Sequence, residues 1–427
     1  MKHCLFYLIL LILPLSLIGQ QVKINHVNNG VIYHITISSD AFLFDHADYA
    51  IFIPDDIEKI KGVFIHQHGC TMEGMGASTA YDIQYQALAK KWGLAIVSPD
   101  IYPKQGRSCA DWRDTESGSG PALIEVLNRI ADVSKIEELK IAPWLLWGHS
   151  GGGYWTLSMM KNYPERIMAV FSYSPAFDPK WDYPAATAKI PIIIRHAGQG
   201  DLAMCWETAL NSFAKLRSMN GLASIAYNPD QNHNLSFVRY MAIPFYEAVL
   251  KQRLTDKTGV MKDMDNSLAW LADPVTNNIY KADSFKGNIS AMCWLPDSIT
   301  ATLWREYVIT GTIVDHTPPS APYNLRVDDF IGNVAILKWD VDADIESGVK
   351  YFRIRIGDNR QERFPLQEDF QRFDTNGDNT IPIFISELRF ELPRPGRQVN
   401  ELKVSISTVN HFLKESRPTT ILVKWEY

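Results

Sequence analysis

The stretch "PWLLWGHSGGGYWTLSMM", residues 143–160, decides how the fold is read. "WLLW" is a continuous apolar run, as expected of a strand buried on both faces. "YWTLSMMKNYP" reads as a helix that stops before Pro164. Between them stand a serine and three glycines. Glycine is a poor helix former, so Gly151, Gly152 and Gly153 cost stability unless the backbone there needs room.

The same alternation extends on both sides. Strand candidates are "VKINHV", "VIYHITI", "YAIFIP", "GVFIHQHG", "GLAIVSPD", "PWLLWGHS", "IMAVFSYSP", "IPIIIRHAG" and "ASIAYNP". Helix candidates lie at about 78–92, 121–138, 152–163, 203–220 and 235–251. This predicts an α/β sandwich over residues 21–252 with a mostly parallel sheet. The first strands lack intervening helices and are expected to form an antiparallel edge.

Residues 253–316 fit less cleanly. Their Trp-, Leu- and Thr-containing pieces read as strand-like segments bridging onto the first domain. "DHTPPSAPYNL" then marks a stiff linker. Beyond it, residues 317–427 show short alternating strands separated by turns, the pattern of an all-β sandwich: "YNLRVDDF", "NVAILKWD", "VKYFRIRIGD", "ELRFELP", "NELKVSISTVN" and "TTILVKWEY". With Trp339 in the second strand, Tyr351 in the third and "STVNHFLKES" near the end, this stretch resembles a fibronectin type III domain. It departs from that pattern around 358–387, which reads as an insertion, and lacks the usual tyrosine of the sixth strand. Within the insertion, Asp374, Asn376 and Asp378 have the spacing of a calcium loop. Asn379 replaces the turn glycine and Ile385 the twelfth-position acid, so a polar turn is the better reading.

The 427 residues carry a formal net charge of −6 and no run of basic residues on one helix, which disfavours nucleic acid as a partner. Residues 1–20 have a basic start and an apolar run from Cys4 to Ile18, broken by Pro14. This is the pattern of a cleaved signal peptide, so the mature chain is expected to be secreted, periplasmic or extracellular, with no membrane span. In such a compartment Cys70, Cys109, Cys205 and Cys293 could form two disulfides by three connectivities, or stay as buried thiols.

Gly148, Ser150 and Gly152 fit G-x-S-x-G at a strand-to-helix turn, the setting of a nucleophile elbow. The residues two before and two after the serine crowd such a turn and must be small. A base and an acid are then needed in the chain order serine, acid, histidine. His233 lies in a loop after the last strand and is the candidate base; His196 is its main competitor. His66 and His68 have an i, i+2 spacing that could suit a metal, with no third ligand evident. Asp201 follows the strand "IPIIIRHA" and is the candidate acid, with Asp178 and Asp182 as alternatives. The oxyanion donors are expected at the amide of Gly151 and in "HGC", at Cys70 or its neighbour Gly69.

With "HQHGCTMEG", "WGLAIVSPD", "GHSGGGYWTLSMMKNYPERIMAVFSYSPAF", "GQGD" and "NPDQNHN", residues 47–250 resemble an α/β-hydrolase, in particular secreted esterases such as polyhydroxyalkanoate depolymerases and feruloyl esterases. The resemblance implies a serine esterase with the triad Ser150, Asp201 and His233 and no cofactor or metal. Only residues 176–189 join the strand after the elbow to the strand before the acid, which leaves the site open unless residues 252–316 cover it, and an open site suits a bulky polysaccharide- or polyester-linked ester. Trp112, with Arg107 and Arg113, is expected to rim the pocket, where Trp112 either stacks on substrate or packs the loop, and His149 beside the serine is the other candidate substrate contact. Cys70 and Cys109 fall at the catalytic edge on adjacent strands, so a bridge between them is expected, leaving Cys205 to pair with Cys293. Two rivals share the fold: a serine peptidase of the prolyl-oligopeptidase kind, which usually carries a propeller this chain lacks, and a non-catalytic binding or adhesion module.

Overall fold

The structure is a computed structural model, and it describes residues 22–27, 29–228, 232–233, 238–367, 369–371, 388–396 and 398–425. The signal-peptide stretch 1–20 and the calcium-like loop at Asp374, Asn376 and Asp378 lie outside the described residues.

All nine strands expected before residue 230 form one sheet. They are β1 (Lys23–Val27), β2 (Gly30–Ile37), β3 (His46–Pro54), β4 (Gly62–Gln67), β5 (Leu94–Tyr102), β6 (Trp144–His149), β7 (Ile167–Tyr173), β8 (Ile192–His196) and β9 (Ala223–Tyr227). Their order is β1-β2-β3-β5-β4-β6-β7-β8-β9. The pairs from β5 to β9 are parallel, and β1, β2 and β3 form the antiparallel edge, joined to the rest through β3 and β5. Every residue of β4, β6 and β7 is buried, which is why these strands read as unbroken apolar runs.

The helices are α1 (Ser78–Tyr81), α2 (Ile83–Trp92), α3 (Ser119–Ser134), α4 (Gly151–Asn162), α5 (Ala203–Ser218) and α6 (Arg239–Arg253). The single helix expected over 78–92 is two. Asp82 stands extended between them, and its carboxylate accepts from the amides of Gln84 and Tyr85, capping α2.

Residues 253–316 differ from the strand-like reading. Three short strands, β10 (Trp270–Ala272), β11 (Ile279–Lys281) and β12 (Cys293–Leu295), precede a full helix, α7 (Ser298–Thr310). Asp297 caps its start and Gly311, in the left-handed region, ends it. Trp304 and Tyr307 of α7 are buried in the same core as the large sheet. The segment seals the sheet's last edge at Ile225 of β9. The carbonyl of Ile225 accepts from Trp304 Nε1 at 2.9 Å, and its amide lies 3.4 Å from Cys293 Sγ.

That placement overturns the expected Cys205–Cys293 bridge. Both are free, buried thiols. Cys293 faces the β9 edge, whereas Cys205 sits in the first turn of α5 near Asp201 and His233. Cys70 and Cys109 are bridged, with Cα atoms 5.2 Å apart.

The carboxy-terminal strands form two antiparallel sheets around a separate core that includes Trp339, Phe352, Leu392 and Ile406. β13 (Tyr323–Ile331), β14 (Val334–Asp340) and β17 (Arg389–Pro393) make one. β16 (Arg360–Phe364), β15 (Val349–Ile356), β18 (Glu401–Asn410) and β19 (Thr419–Lys424) make the other. β16 falls inside the stretch read as an insertion. It forms a hairpin with β15 through Gly357, whose φ is 57°.

Candidate active site

Ser150 occupies the tight turn between β6 and α4. Its backbone has φ 55° and ψ −115°, a conformation that non-glycine residues rarely adopt. Three hydrogen bonds hold it: its amide donates to Tyr173 O at 2.9 Å, and its carbonyl accepts from the amides of Tyr154 at 3.0 Å and Ala176 at 2.9 Å. The flanking glycines are forced by contact. A Cβ on Gly148 would lie 2.1 Å from Gly152 O, and one on Gly152 would lie 2.4 Å from the carbonyls of both Gln67 and His68. The glycine-rich start of α4 is therefore the requirement for packing the turn against the end of β4.

The loop after β4 lies alongside. A Cβ placed on Gly69 would come 3.4 Å from Ser150 Cβ, and one on Gly151 would come 2.3 Å from Cys70 Sγ and 3.5 Å from Cys70 N. Gly69, Cys70, Ser150 and Gly151 thus share one small region, with the Cys70–Cys109 disulfide tying the loop to the segment after β5. His68 fixes the loop from behind. Its Nδ1 donates to Gly69 O at 2.6 Å, and its Nε2 accepts from the amide of Ile101 at 3.0 Å. Both ring nitrogens are occupied, which removes the metal reading of His66 and His68. His66 is a buried ring stacked on Trp147 at 4.0 Å; burial, then the nearby Arg239 charge, pushes its pKa far down.

Asp201 and His233 meet although they are distant in sequence. His233 Nδ1 lies 2.6 Å from Asp201 Oδ1. The Asp201 side chain is fully enclosed while His233 keeps 18% of its side chain exposed. Asp201 also accepts from Leu202 N at 2.9 Å, Ser174 Oγ at 2.6 Å and Ala197 N at 3.1 Å. Burial works against the charged form, but the hydrogen bonds from His233 and Ser174, the His233 charge and the Ala197 amide outweigh it and lower the carboxyl to about 2. The carboxylate stays ionised and can only accept, so the facing Nδ1 of His233 carries a proton.

The competing residues lie elsewhere. His196 accepts from Gly198 N at 3.0 Å and stacks on Tyr227; burial, then the Arg195 charge, lowers it to about 4. Asp178 approaches Lys180 at 3.9 Å. Neither Asp178 nor Asp182 bonds a histidine among the described residues.

Two substrate-contact expectations fail. The Trp112 side chain is 0% exposed and packs 5.0 Å from the His68 ring, behind the loop, so no face is left for stacking on a ligand. His149 is 2% exposed and points at the His233 backbone, its Nε2 lying 2.9 Å from His233 O. The aromatic and cationic groups near the turn are instead Arg113, whose guanidinium lies 3.5 Å over the Phe177 ring and 5.2 Å from Tyr154, and Trp181, edge-on to Tyr154 at 5.2 Å. Arg107 is held by Asp111 at 2.7 Å. Sequence reasoning missed Ser174, Tyr173 and Arg195, which carry no local motif.

Asp201, Cys205 and His233 offer ligand-type atoms within 4.8 Å of one another. The 2.6 Å separation of His233 Nδ1 and Asp201 Oδ1 is a hydrogen-bond distance, too short for two separate ligands of one ion at ordinary bond lengths. The set fits a proton-sharing pair better than a metal. Among the described residues no helix is long and apolar enough to cross a membrane.

No family model and no curated protein matches the chain. Solved structures similar to part of it are esterases and other hydrolases. A thermostable esterase is 18% identical with a TM-score of 0.37, over 46% of this chain and 54% of that one. An S-formylglutathione hydrolase from Agrobacterium tumefaciens is 14% identical with a TM-score of 0.41, over 54% of this chain and 99% of that one. A ferulic acid esterase is 14% identical with a TM-score of 0.38, over 54% and 97%. At these identities and scores the likeness carries no chemistry to this chain.

Proposed function

We propose that the chain is a serine hydrolase of carboxylic esters. Ser150 attacks the ester carbonyl, and His233 Nε2 takes its proton. Asp201 holds the imidazole tautomer and stabilises the imidazolium. The amides of Gly151 and of Cys70, or of its neighbour Gly69, receive the charge that develops on the carbonyl oxygen. His233 then protonates the leaving alcohol, and water, activated by the same base, releases the acyl group. The observation that carries this reading is the 2.6 Å His233–Asp201 hydrogen bond, with the His233 ring 4.7 Å from that of His149, the chain neighbour of the positive-φ Ser150.

The short connection from β7 to β8 supports an open site and hence a bulky or polymer-linked ester. The Cys70–Cys109 disulfide supports an oxidising compartment, in line with a secretory leader. The strand order β13-β14-β17 and β16-β15-β18-β19 supports a fibronectin type III-like module, whose place would be to space the enzyme or contact a polymer or surface. The test is turnover of p-nitrophenyl acetate and butyrate beside a proline-linked amide, with Ser150→Ala as control. Ester turnover lost in the variant supports the reading. Amide turnover alone would make the chain a peptidase, and no turnover would make it a binding module.

A further inference from the structure

The proposed base stands in a loop between β9 and α6, and three side chains from other elements grip that loop by its backbone. Tyr173 Oη donates to His233 O at 2.9 Å. His149 Nε2 lies 2.9 Å from the same oxygen, and because a carbonyl only accepts, this nitrogen carries the proton. An Arg195 guanidinium nitrogen donates to Asn232 O at 3.3 Å. All three side chains are buried. They come from the last residue of β6, the last of β7 and the penultimate of β8, three neighbouring strands. The same Arg195 nitrogen donates to Ser174 Oγ at 3.1 Å, and Ser174 donates to Asp201. The His149 ring lies 4.6 Å from that of Tyr173 and 4.7 Å from that of His233. One continuous group therefore runs from the neighbour of Ser150 to the partner of Asp201.

We propose that His149, Tyr173 and Arg195 are positioning residues that clamp the main chain at 232–233, so that the His233 imidazole keeps its direction between Asp201 and Ser150. The proposal rests on the serine-hydrolase reading. The Nδ1–Asp201 bond fixes one end of the ring and leaves it free to pivot. Fixing the peptide beyond its Cα removes that freedom, and small misplacements of a base cost rate steeply. The His233 carbonyl receives two donors, and turning that peptide over would break both of these buried hydrogen bonds. Burial, then the neighbouring His233 charge, lowers His149 to about 3, so its neutral N–H donor persists across the working range.

Tyr173→Phe removes one donor and keeps the ring. It is expected to lower kcat on p-nitrophenyl acetate roughly three- to tenfold, with KM changed by less than about twofold and the melting temperature close to wild type. His149→Phe is expected to do the same or more, and His149→Gln, whose amide can still donate, to recover part of the loss. A second readout is independent of turnover: the low-field NMR resonance of the His233 Nδ1 proton is expected to broaden by exchange in both Phe variants. Wild-type kcat and an unchanged resonance in both would overturn the clamp. Wild-type turnover that survives Ser150→Ala would overturn the serine-hydrolase reading instead.

Discussion

Asp201 is charged in a place where burial opposes charge. Its carboxylate is enclosed, yet donors from His233, Ser174 and Ala197 hold its pKa to about 2. The linkage has a definite sign. A carboxyl depressed by folding contributes stability that is present above its unfolded pKa near 4 and is lost as pH falls toward 2. Asp201 therefore stays ionised through any ordinary assay pH. Asp201→Asn keeps the shape but offers an amide where a carboxylate held the tautomer. It is expected to lower kcat by roughly 10⁴-fold. Steady-state kinetics on p-nitrophenyl butyrate checks this, and a loss below tenfold would remove Asp201 from the mechanism. The tight turn at Ser150 and the Asp201–His233 pairing were legible because the elbow is a local pattern and the proposed partners follow in chain order. Trp112 and His149 were misread because the direction of a side chain depends on what packs beside it, which the surrounding letters do not state. Ser174, Tyr173 and Arg195 lack a signal altogether, since each acts through groups far off in sequence.

At the scale of elements, the end of the sheet was the harder part to read. Segment "DSITATLWREYVITG" is rich in Thr, Ile and Val, and those residues favour strands. Its end signals point the other way: Asp297 caps the start, and Gly311 takes φ 80° at the close. Packing settled the matter, because a helix presents Trp304 and Tyr307 together to the core and to the edge of β9. β16 was missed for a related reason. The Gly357–Asp358–Asn359 turn is a hairpin signal, but the polar strand "RQERF" that follows has no apolar alternation to mark it. Trp304→Phe leaves the Ile225 carbonyl without its indole donor at a buried sheet edge. The expected loss is about 1–3 kcal/mol of stability, read as a lower urea midpoint at unchanged slope. An unchanged midpoint would mean that α7 does not support the edge.

Across the whole molecule, the junction between the two cores has its own polar centre. Asp315 lies before the sandwich, and Asp344 lies between β14 and β15. Asn410 Nδ2 bonds both carboxylates, at 2.9 and 3.1 Å, and Ser347 Oγ bonds Asp315 at 2.7 Å. The sandwich also reaches the sheet domain directly: Gln371 Nε2 donates to Asp82 at 3.1 Å, and the Phe412 ring meets Tyr240. Burial above all, with Asp315 and Glu346 adding repulsion, raises Asp344 to about 7 against the hydrogen bonds it accepts. The folded chain thus keeps a proton that the unfolded chain releases. Stability from this group is lost as pH rises from about 4 through 7, opposite in sign to Asp201. Asp344→Asn is expected to flatten the fall of melting temperature over that range, and an unaltered slope would exclude Asp344 as its source. The two-core organisation was readable from the proline-rich linker and the change of periodicity. This carboxylate pair was not, because it is assembled from residues 315, 344 and 410.

The most direct test of the central claim is covalent labelling with a fluorophosphonate, followed by peptide mapping. A single adduct is expected on the peptide that carries Ser150, abolished in Ser150→Ala and strongly slowed in His233→Ala. Labelling at another serine, or none in a folded and soluble protein, would contradict it.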